Sequence, residues 1–342
     1  MEHMPVSTFR SQSTYRIQAP IGDSIEIPVS VKDDTGVSFS IGQWTDLRAF
    51  YDREGYVVVR SLIPVSLCEH AYDAFQREVK PYKGFLYRQA SANPERHVFA
   101  QQGFMLNSLL NIQDLRNDLF PKFRQGGLAI LTHPNMRSAV ATLLGEEGTL
   151  VQSMFFEGNP VTWAHQDTYY LDSAELGRMT AAWIAVEDIN PGAGRFYVYP
   201  GSHRIEMPRN QGNFSIAFSH ETYKTYVASL IRDRKLACRA PALGKGDVLF
   251  WNSRTIHGSL ETTQPEASRC SFTAHYIPAT TEFMQYQVRE KALNLVAINS
   301  MKVHCPKDQN KVINRVLLNL ETTFPKTYQF AKKSAIKILT RG

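Results

Sequence analysis

Between residues 150 and 278 the chain breaks into short apolar runs: LVQSMFFEG, MTAAWIAVED, RFYVYPGSH, DVLFWNS and RCSFTAHYIP. They are rich in β-branched and aromatic residues, and NPGAG, PGS and GKG punctuate them, the texture of strands bounded by tight turns. There is no alternating strand–helix rhythm, so a parallel βαβ sheet fits poorly. The spacing predicts a mainly β sandwich or jelly roll with flanking helices. One stretch, SHETYKTYVASLIRDRK near 219–235, interrupts the strands as a helix.

Upstream, TDLRAFYDRE reads as a helix capped by Thr45 or Asp46 and stopped by Gly55, and YVVVRSLI as a strand. A second helix starts near Ser66, with Leu67, Ala71 and Phe75 along one face. Residues 81–127 read as irregular with short helical pieces, and HPNMRSAVATLLG as a helix ended by Gly145. Residues 1–40 suggest a loose arm or edge strand. After about 284 the pattern turns helical, closing on FPKTYQFAKKSAIKILTR, where Pro325 suits a first helical turn.

Composition narrows the partners. From Arg289 onward eleven Lys and Arg face three acids (Glu290, Asp308, Glu321), a charge of +8 that leaves −2 for the other 288 residues. The tail reads as a solvated basic helical surface, and no Arg/Gly-rich run or nucleic-acid module accompanies it. No apolar run is long enough to span a bilayer, and MEHMPVSTFR has no signal core. Cys68, Cys238, Cys270 and Cys305 are irregularly spaced without a CxxC pair, which favours reduced thiols in a cytoplasm. The expected partner is a small molecule.

The chemistry centres on TWAHQDTYYLD, residues 162–172. Residues i and i+2 of an extended segment share a face, so His165 and Asp167 can aim at one point. Two such ligands need a third, and the best candidate is His257 in WNSRTIHGSLETT, just after the apolar run DVLFW. Two histidines and a carboxylate form the facial triad of non-haem Fe(II) oxygenases. Zinc hydrolysis could use a similar set. Arg269, twelve residues after His257, discriminates between them. A guanidinium near the metal can grip the distal carboxylate of 2-oxoglutarate through paired charge-assisted bonds, and a zinc hydrolase has no use for it.

The ordered blocks HQD, WIAVEDINPGAGRFYVYPGSHR, GDVLFWNSRTIHGS and SRCSFTAHY resemble the phytanoyl-CoA dioxygenase family of Fe(II)/2-oxoglutarate oxygenases, over roughly 45–280 and most strongly 150–278. The FYDREGYVVVRSLI opening fits as well. The resemblance implies a double-stranded β-helix (cupin-like jelly roll), with Fe(II) as cofactor and 2-oxoglutarate and O2 as cosubstrates. It places the metal ligands on His165, Asp167 and His257. Cosubstrate contacts fall on Arg269, Gln166, Trp183, Ser259 and Met154. A further upstream polar contact has only Gln101, Gln102 and Asn107 as candidates. Halogenating relatives carry a small residue at the position of Asp167, so the retained carboxylate argues against halogenation.

The implied division is an N-terminal arm (1–40), a dioxygenase domain (41–284, jelly-roll core about 150–278) and a basic helical extension (285–342). Tyr169, Tyr170, Phe156, Arg195 and Arg254 are candidates for the substrate pocket. The charge of −2 outside the tail gives no support to a CoA-binding cleft, although Arg88, Arg96 and Arg254 could still form a local cluster. The expected reaction is therefore oxidation of a small polar metabolite by hydroxylation, desaturation or cyclisation, as in specialised biosynthesis. The alternatives are an acyl-CoA or lipid hydroxylase and a non-catalytic jelly-roll binding protein. His203 in the PGSH turn and His275 on the Arg269 strand read as structural, the latter as a satisfied barrel-wall histidine.

Overall fold

The computed structural model describes residues 13–207, 216–328 and 330. A hairpin of β1 (Thr14–Gln18) and β2 (Ser24–Pro28) precedes α1 (Trp44–Glu54), β3 (Tyr56–Val59) and α2 (Val65–Ala74). Next come α3 (Pro121–Leu131) and α4 (Pro134–Leu144), each opened by a proline in its first turn. Then come β4 (Gly148–Phe156), β5 (Thr180–Ala185), β6 (Phe196–Val198) and α5 (Ile216–Asp233). The chain continues through β7 (Val248–Asn252), β8 (His257–Ser259), β9 (Ser271–Pro278), β10 (Leu295–Ile298), β11 (Met301–His304) and α6 (Val312–Thr323).

The large sheet runs β10-β11-β4-β9-β5-β7-β3, with Leu109–Leu110 added beside β4. Its pairs are antiparallel except β11 with β4. Opposite it lies a small layer in which His165 bridges β8, β8 pairs β6, and Val198 of β6 bridges Arg239. Two facing β layers closed by helices make a cupin-like jelly roll, one of the two architectures the turn spacing allows and the one the resemblance implies.

Strand alternation divides the large sheet into a core side and a cavity side. On β4 and β9 the odd–even pattern sends Phe155, Phe272 and Tyr276 toward the helices. Phe155 packs its ring 4.5 Å from Phe75, 5.1 Å from Phe123 and 4.9 Å from Phe272. The hydroxyl of Tyr276 donates to Leu131 O at the end of α3. Each such ring contributes about 1.5–3 kcal/mol of burial, so this side anchors the sheet. Helix α3 comes close enough that a Cβ on Gly127 would meet Ile112 at 2.9 Å and the Phe272 ring at 3.2 Å. The other side of the same strands carries Gln152, Met154, Thr273 and His275 into a cavity between the two layers.

Three local expectations need correction. Helix α1 starts at Trp44, so Thr45 and Asp46 lie inside it. Gln43 is the cap residue, and its side chain accepts from Ser40 N at 2.7 Å. Of the two readings for residues 1–40, the loose arm fails and the strand holds over the described part: β1 and β2 pair along their length. The region after 284 is not simply helical. Phe283–Gln285 and Arg289–Lys291 pair with each other, and β10 and β11 form a hairpin that joins the large sheet. Its turn residues Asn299 and Ser300 both adopt positive φ, 47° and 63°, as a two-residue hairpin turn requires. Among the described residues after 284, helix comes only with α6 and with residues 325–328 and 330, where Pro325 opens the turn as expected. Most of the basic stretch after that lies outside the described residues.

Candidate active site

His165 and His257 are held face to face by the backbone. His165 N donates to His257 O at 3.1 Å and His257 N to His165 O at 2.9 Å, a bonded antiparallel pair. Both imidazoles therefore project to one side, with ring centroids 4.3 Å apart. Gln166 between them and Asp167 is extended (φ −105°, ψ 138°), so Asp167 returns to the same side before the chain tightens into a 3-10 turn. The metal-binding atoms of His165, Asp167 and His257 all lie within 4.8 Å of one another.

The imidazole tautomers follow from their partners. His165 Nδ1 is 2.8 Å from Trp163 O and His257 Nδ1 is 2.9 Å from Thr255 O. A carbonyl only accepts, so each Nδ1 carries the proton and each Nε2 offers its lone pair inward. Both Nε2 atoms point at Asp167 Oδ1, at 3.6 and 3.5 Å. Asp167 Oδ2 accepts from Trp251 Nε1 at 2.8 Å, which fixes the carboxylate plane. Burial opposes ionisation of Asp167, but the positive charge that His257 and His275 bring when protonated outweighs it and holds the carboxyl well below the usual range, and in the same place a divalent cation would act likewise. Burial and the neighbouring His257 push His165 down toward the neutral form. An ionised carboxylate with two imidazole Nε2 atoms turned toward it is the donor set a divalent cation needs, so these residues fit Fe(II).

The triad opens into a cavity of about 530 Å3. Arg269, 2% exposed, lines its wall with its guanidinium 5.4 Å over the Phe156 ring. One Nη donates to Gly194 O at 3.0 Å, while Nε is buried without a hydrogen-bond partner. Burial alone pushes its pKa down to about 9, and no carboxylate among the described residues pairs with it. A desolvated cation with a spare donor, in the same cavity as the triad, is a ready receptor for an anion.

Other expected contacts divide. Met154, Trp183 and Ser259 line the cavity. Gln166 does not: its amide donates to Arg254 O, and it points away from the cavity. Among the substrate-pocket candidates, Phe156 and Tyr170 line the cavity and Tyr169 does not. The Tyr169 ring is buried against Tyr223, with centroids 3.7 Å apart. Arg195 is also misplaced by the sequence reading. It is fully buried and donates to the carbonyls of Pro28, Val29 and Ile189, fastening the β1–β2 hairpin to the barrel.

Arg254 lies outside the lining, and the cluster imagined with Arg88 and Arg96 does not form there. Arg88 is buried on the carbonyls of Glu95 and Asn107, and Arg96 donates to Lys83 O. Gln101 and Gln102 are exposed, and the Asn107 amide is bound to Arg96 O. The upstream polar groups at the cavity are Gln89 and Ser91.

His275 is in the barrel wall as read, but it is not satisfied. Its Nε2 stands 3.4 Å from Asp167 Oδ2, and neither ring nitrogen has a hydrogen bond. Gln152, Thr273 and Tyr286 also line the cavity and were missed by the sequence reading. Strand alternation could have found the first two, since Gln152 lies two residues from Met154 and Thr273 four from Arg269.

The family model described as Phytanoyl-CoA dioxygenase (PhyH) matches residues 51–269, a span that holds every residue of the triad and the anchor. The chain belongs to the phytanoyl-CoA dioxygenase family. This is a family of Fe(II)- and 2-oxoglutarate-dependent dioxygenases, and the donor set and buried guanidinium are the parts such an enzyme requires. A Bos taurus phytanoyl-CoA dioxygenase domain-containing protein 1 is 30% identical over 194 residues, covering 54% of this chain and 64% of that protein. The Bos taurus peroxisomal phytanoyl-CoA dioxygenase is 22% identical over 256 residues, covering 70% of each. Among solved structures, the epimerase SnoN in complex with Fe3+, alpha ketoglutarate and nogalamycin RO matches with a TM-score of 0.51 at 19% identity. It covers 71% of this chain and 86% of that one. At that identity the likeness is one of fold. No helix among the described residues is long and apolar enough to cross a membrane.

Proposed function

We propose that this protein oxidises a C–H bond of a small polar metabolite while converting 2-oxoglutarate and O2 into succinate and CO2. One oxygen atom of O2 enters succinate; the other enters the product as a hydroxyl, or leaves as water if the substrate loses two hydrogens. The observation that carries the reading is Arg269: a buried guanidinium with a spare donor, unpaired with any described acid, sharing one cavity with the triad. His165, Asp167 and His257 would hold Fe(II), which when bound supplies O2 activation coupled to cosubstrate decarboxylation.

The chain's own groups do the rest. Arg269 binds the distal carboxylate, and Trp183, Met154 and Ser259 line the space around it. The backbone pair between His165 and His257 sets the ligand angle. The Trp251 indole keeps Asp167 from rotating. Aromatic walls from Phe156, Phe196 and Trp163 exclude water from the reacting centre.

The substrate side of the cavity carries Gln89, Ser91, Gln152, Thr273, Tyr170 and Tyr286, neutral hydrogen-bonding groups suited to a polar molecule. The volume falls within the roughly 300–1,000 Å3 of small-molecule sites. Arg269 is the one Lys or Arg among these lining residues and is committed to the cosubstrate. That favours a small metabolite over an acyl-CoA, whose phosphates call for several cations. The four thiols are free, in keeping with a reducing, cytoplasmic setting. A role in specialised biosynthesis suits an enzyme of this substrate class.

The test is a mass-shift screen of polar metabolites with purified protein, Fe(II), ascorbate and 2-oxoglutarate. Gain of one oxygen, or loss of two hydrogens, with matching succinate is the expected result. Turnover confined to acyl-CoA thioesters would replace the substrate assignment. No succinate with any substrate would favour a non-catalytic binding protein.

A further inference from the structure

Helix α6 is turned inside out relative to an ordinary surface helix. Its inner face is largely polar: Glu321 is 3% exposed and accepts from the Tyr87 hydroxyl at 2.9 Å, and Asn314 donates to Asp308 O at 2.8 Å. Arg315 and Thr322 lie over a second cavity, of about 350 Å3. Its outer face carries Val312, Ile313, Val316, Leu317, Leu320 and Phe324, each 37–65% exposed. Spaced by one, four, five, eight and twelve residues from Val312, they form one continuous stripe. A contiguous apolar patch on a soluble surface marks a binding surface.

Charge decides what covers it. From residue 311 to the end there are seven basic residues (Lys311, Arg315, Lys326, Lys332, Lys333, Lys337, Arg341) and a single acid, Glu321, which the fold buries. A second copy of the chain would set two such clusters against each other. Residues 331–342 carry four bases and no acid, so laid on the stripe they too would add like charge. An anionic bilayer meets both demands, taking the apolar stripe into its interfacial region and drawing the lysines to its headgroups.

We propose that α6, with Lys311 and Lys326 at its two ends, forms a peripheral docking surface for an anionic lipid bilayer, lying on the membrane rather than spanning it. Docking rests on α6 and not on the chemistry of the barrel, so it stands whatever the metal site oxidises.

The test uses the full chain with vesicles of phosphatidylcholine alone or with about 30% phosphatidylserine. Co-sedimentation with the anionic vesicles, absent with neutral ones and lost at high salt, is the expected result. Ile313→Ser with Leu320→Ser removes apolar contact without altering charge, and Lys311→Gln with Lys326→Gln does the reverse. Each pair should lower vesicle partitioning by about tenfold or more with the melting temperature and succinate formation unchanged. Three results would overturn the proposal. One is no binding to the anionic vesicles. Another is binding that the serine pair leaves intact. The last is a dimer in light scattering that the serine pair dissociates, which would make a second copy the occupant.

Discussion

At the residue scale two buried charges make opposite demands. Arg269 sits desolvated with Nε unpaired, and an uncompensated buried charge costs several kcal/mol until a counter-ion arrives. Binding of a dicarboxylate offsets that cost, so Arg269→Gln should raise the dissociation constant for 2-oxoglutarate by about thirtyfold or more. Fe(II) affinity should stay near wild type, and calorimetry on both ligands separates the two. Unchanged 2-oxoglutarate affinity would remove Arg269 from the anchor role.

Asp114 is the second case. Its carboxyl is 4% exposed, Oδ1 has no partner, and burial pushes its pKa up to about 7. The folded value lies above the unfolded one, so ionisation opposes folding. The penalty is absent below about pH 4, grows as pH rises to 7 and is full above it. Asp114→Asn can still accept from Lys307 N, as Oδ2 does at 3.1 Å. The variant should gain about 1–3 kcal/mol over wild type at pH 8 and little at pH 5. Denaturant melts at the two pH values check this, and an equal gain at both would contradict it.

At the element scale, what was legible followed from periodicity and spacing. The triad could be read because His165 and Asp167 are two apart on extended backbone and because DVLFW delivers His257 as a strand end. The β4, β5, β7 and β9 runs were legible as short apolar segments between Gly, Pro and Asn. The hairpin of β10 and β11 was not, because its turn is Asn-Ser rather than Asn-Gly and its flanking residues LVAI also fit a helix.

Arg195 misled for a different reason. A sequence shows a charge beside strand β6 but not the three carbonyls that enclose it. Arg195→Met should therefore cost about 2–4 kcal/mol of stability, because it leaves those buried acceptors unpaired. It should do so without changing 2-oxoglutarate affinity in the folded protein. Loss of affinity at full stability would restore a role in the cavity.

At the scale of the whole molecule, one sheet serves two purposes through strand alternation. Its helix-facing residues form the aromatic cluster of Phe75, Phe123, Phe155 and Phe272, which fixes the strands. Its opposite-facing residues, from Gln152 to His275, can then carry polar groups into a cavity shared with the small layer that holds the histidines. Rigid strands matter here because the ligand atoms must keep their 4.8 Å grouping before any metal is present.

The central claim is that this grouping and Arg269 together form one Fe(II)/2-oxoglutarate site. Anaerobic addition of Fe(II) and then 2-oxoglutarate to the purified protein tests it most directly. The prediction is a weak visible charge-transfer band that saturates with stoichiometric metal and is absent from a folded His257→Ala variant. No band in the wild-type protein, or an equal band in the variant, would contradict the account.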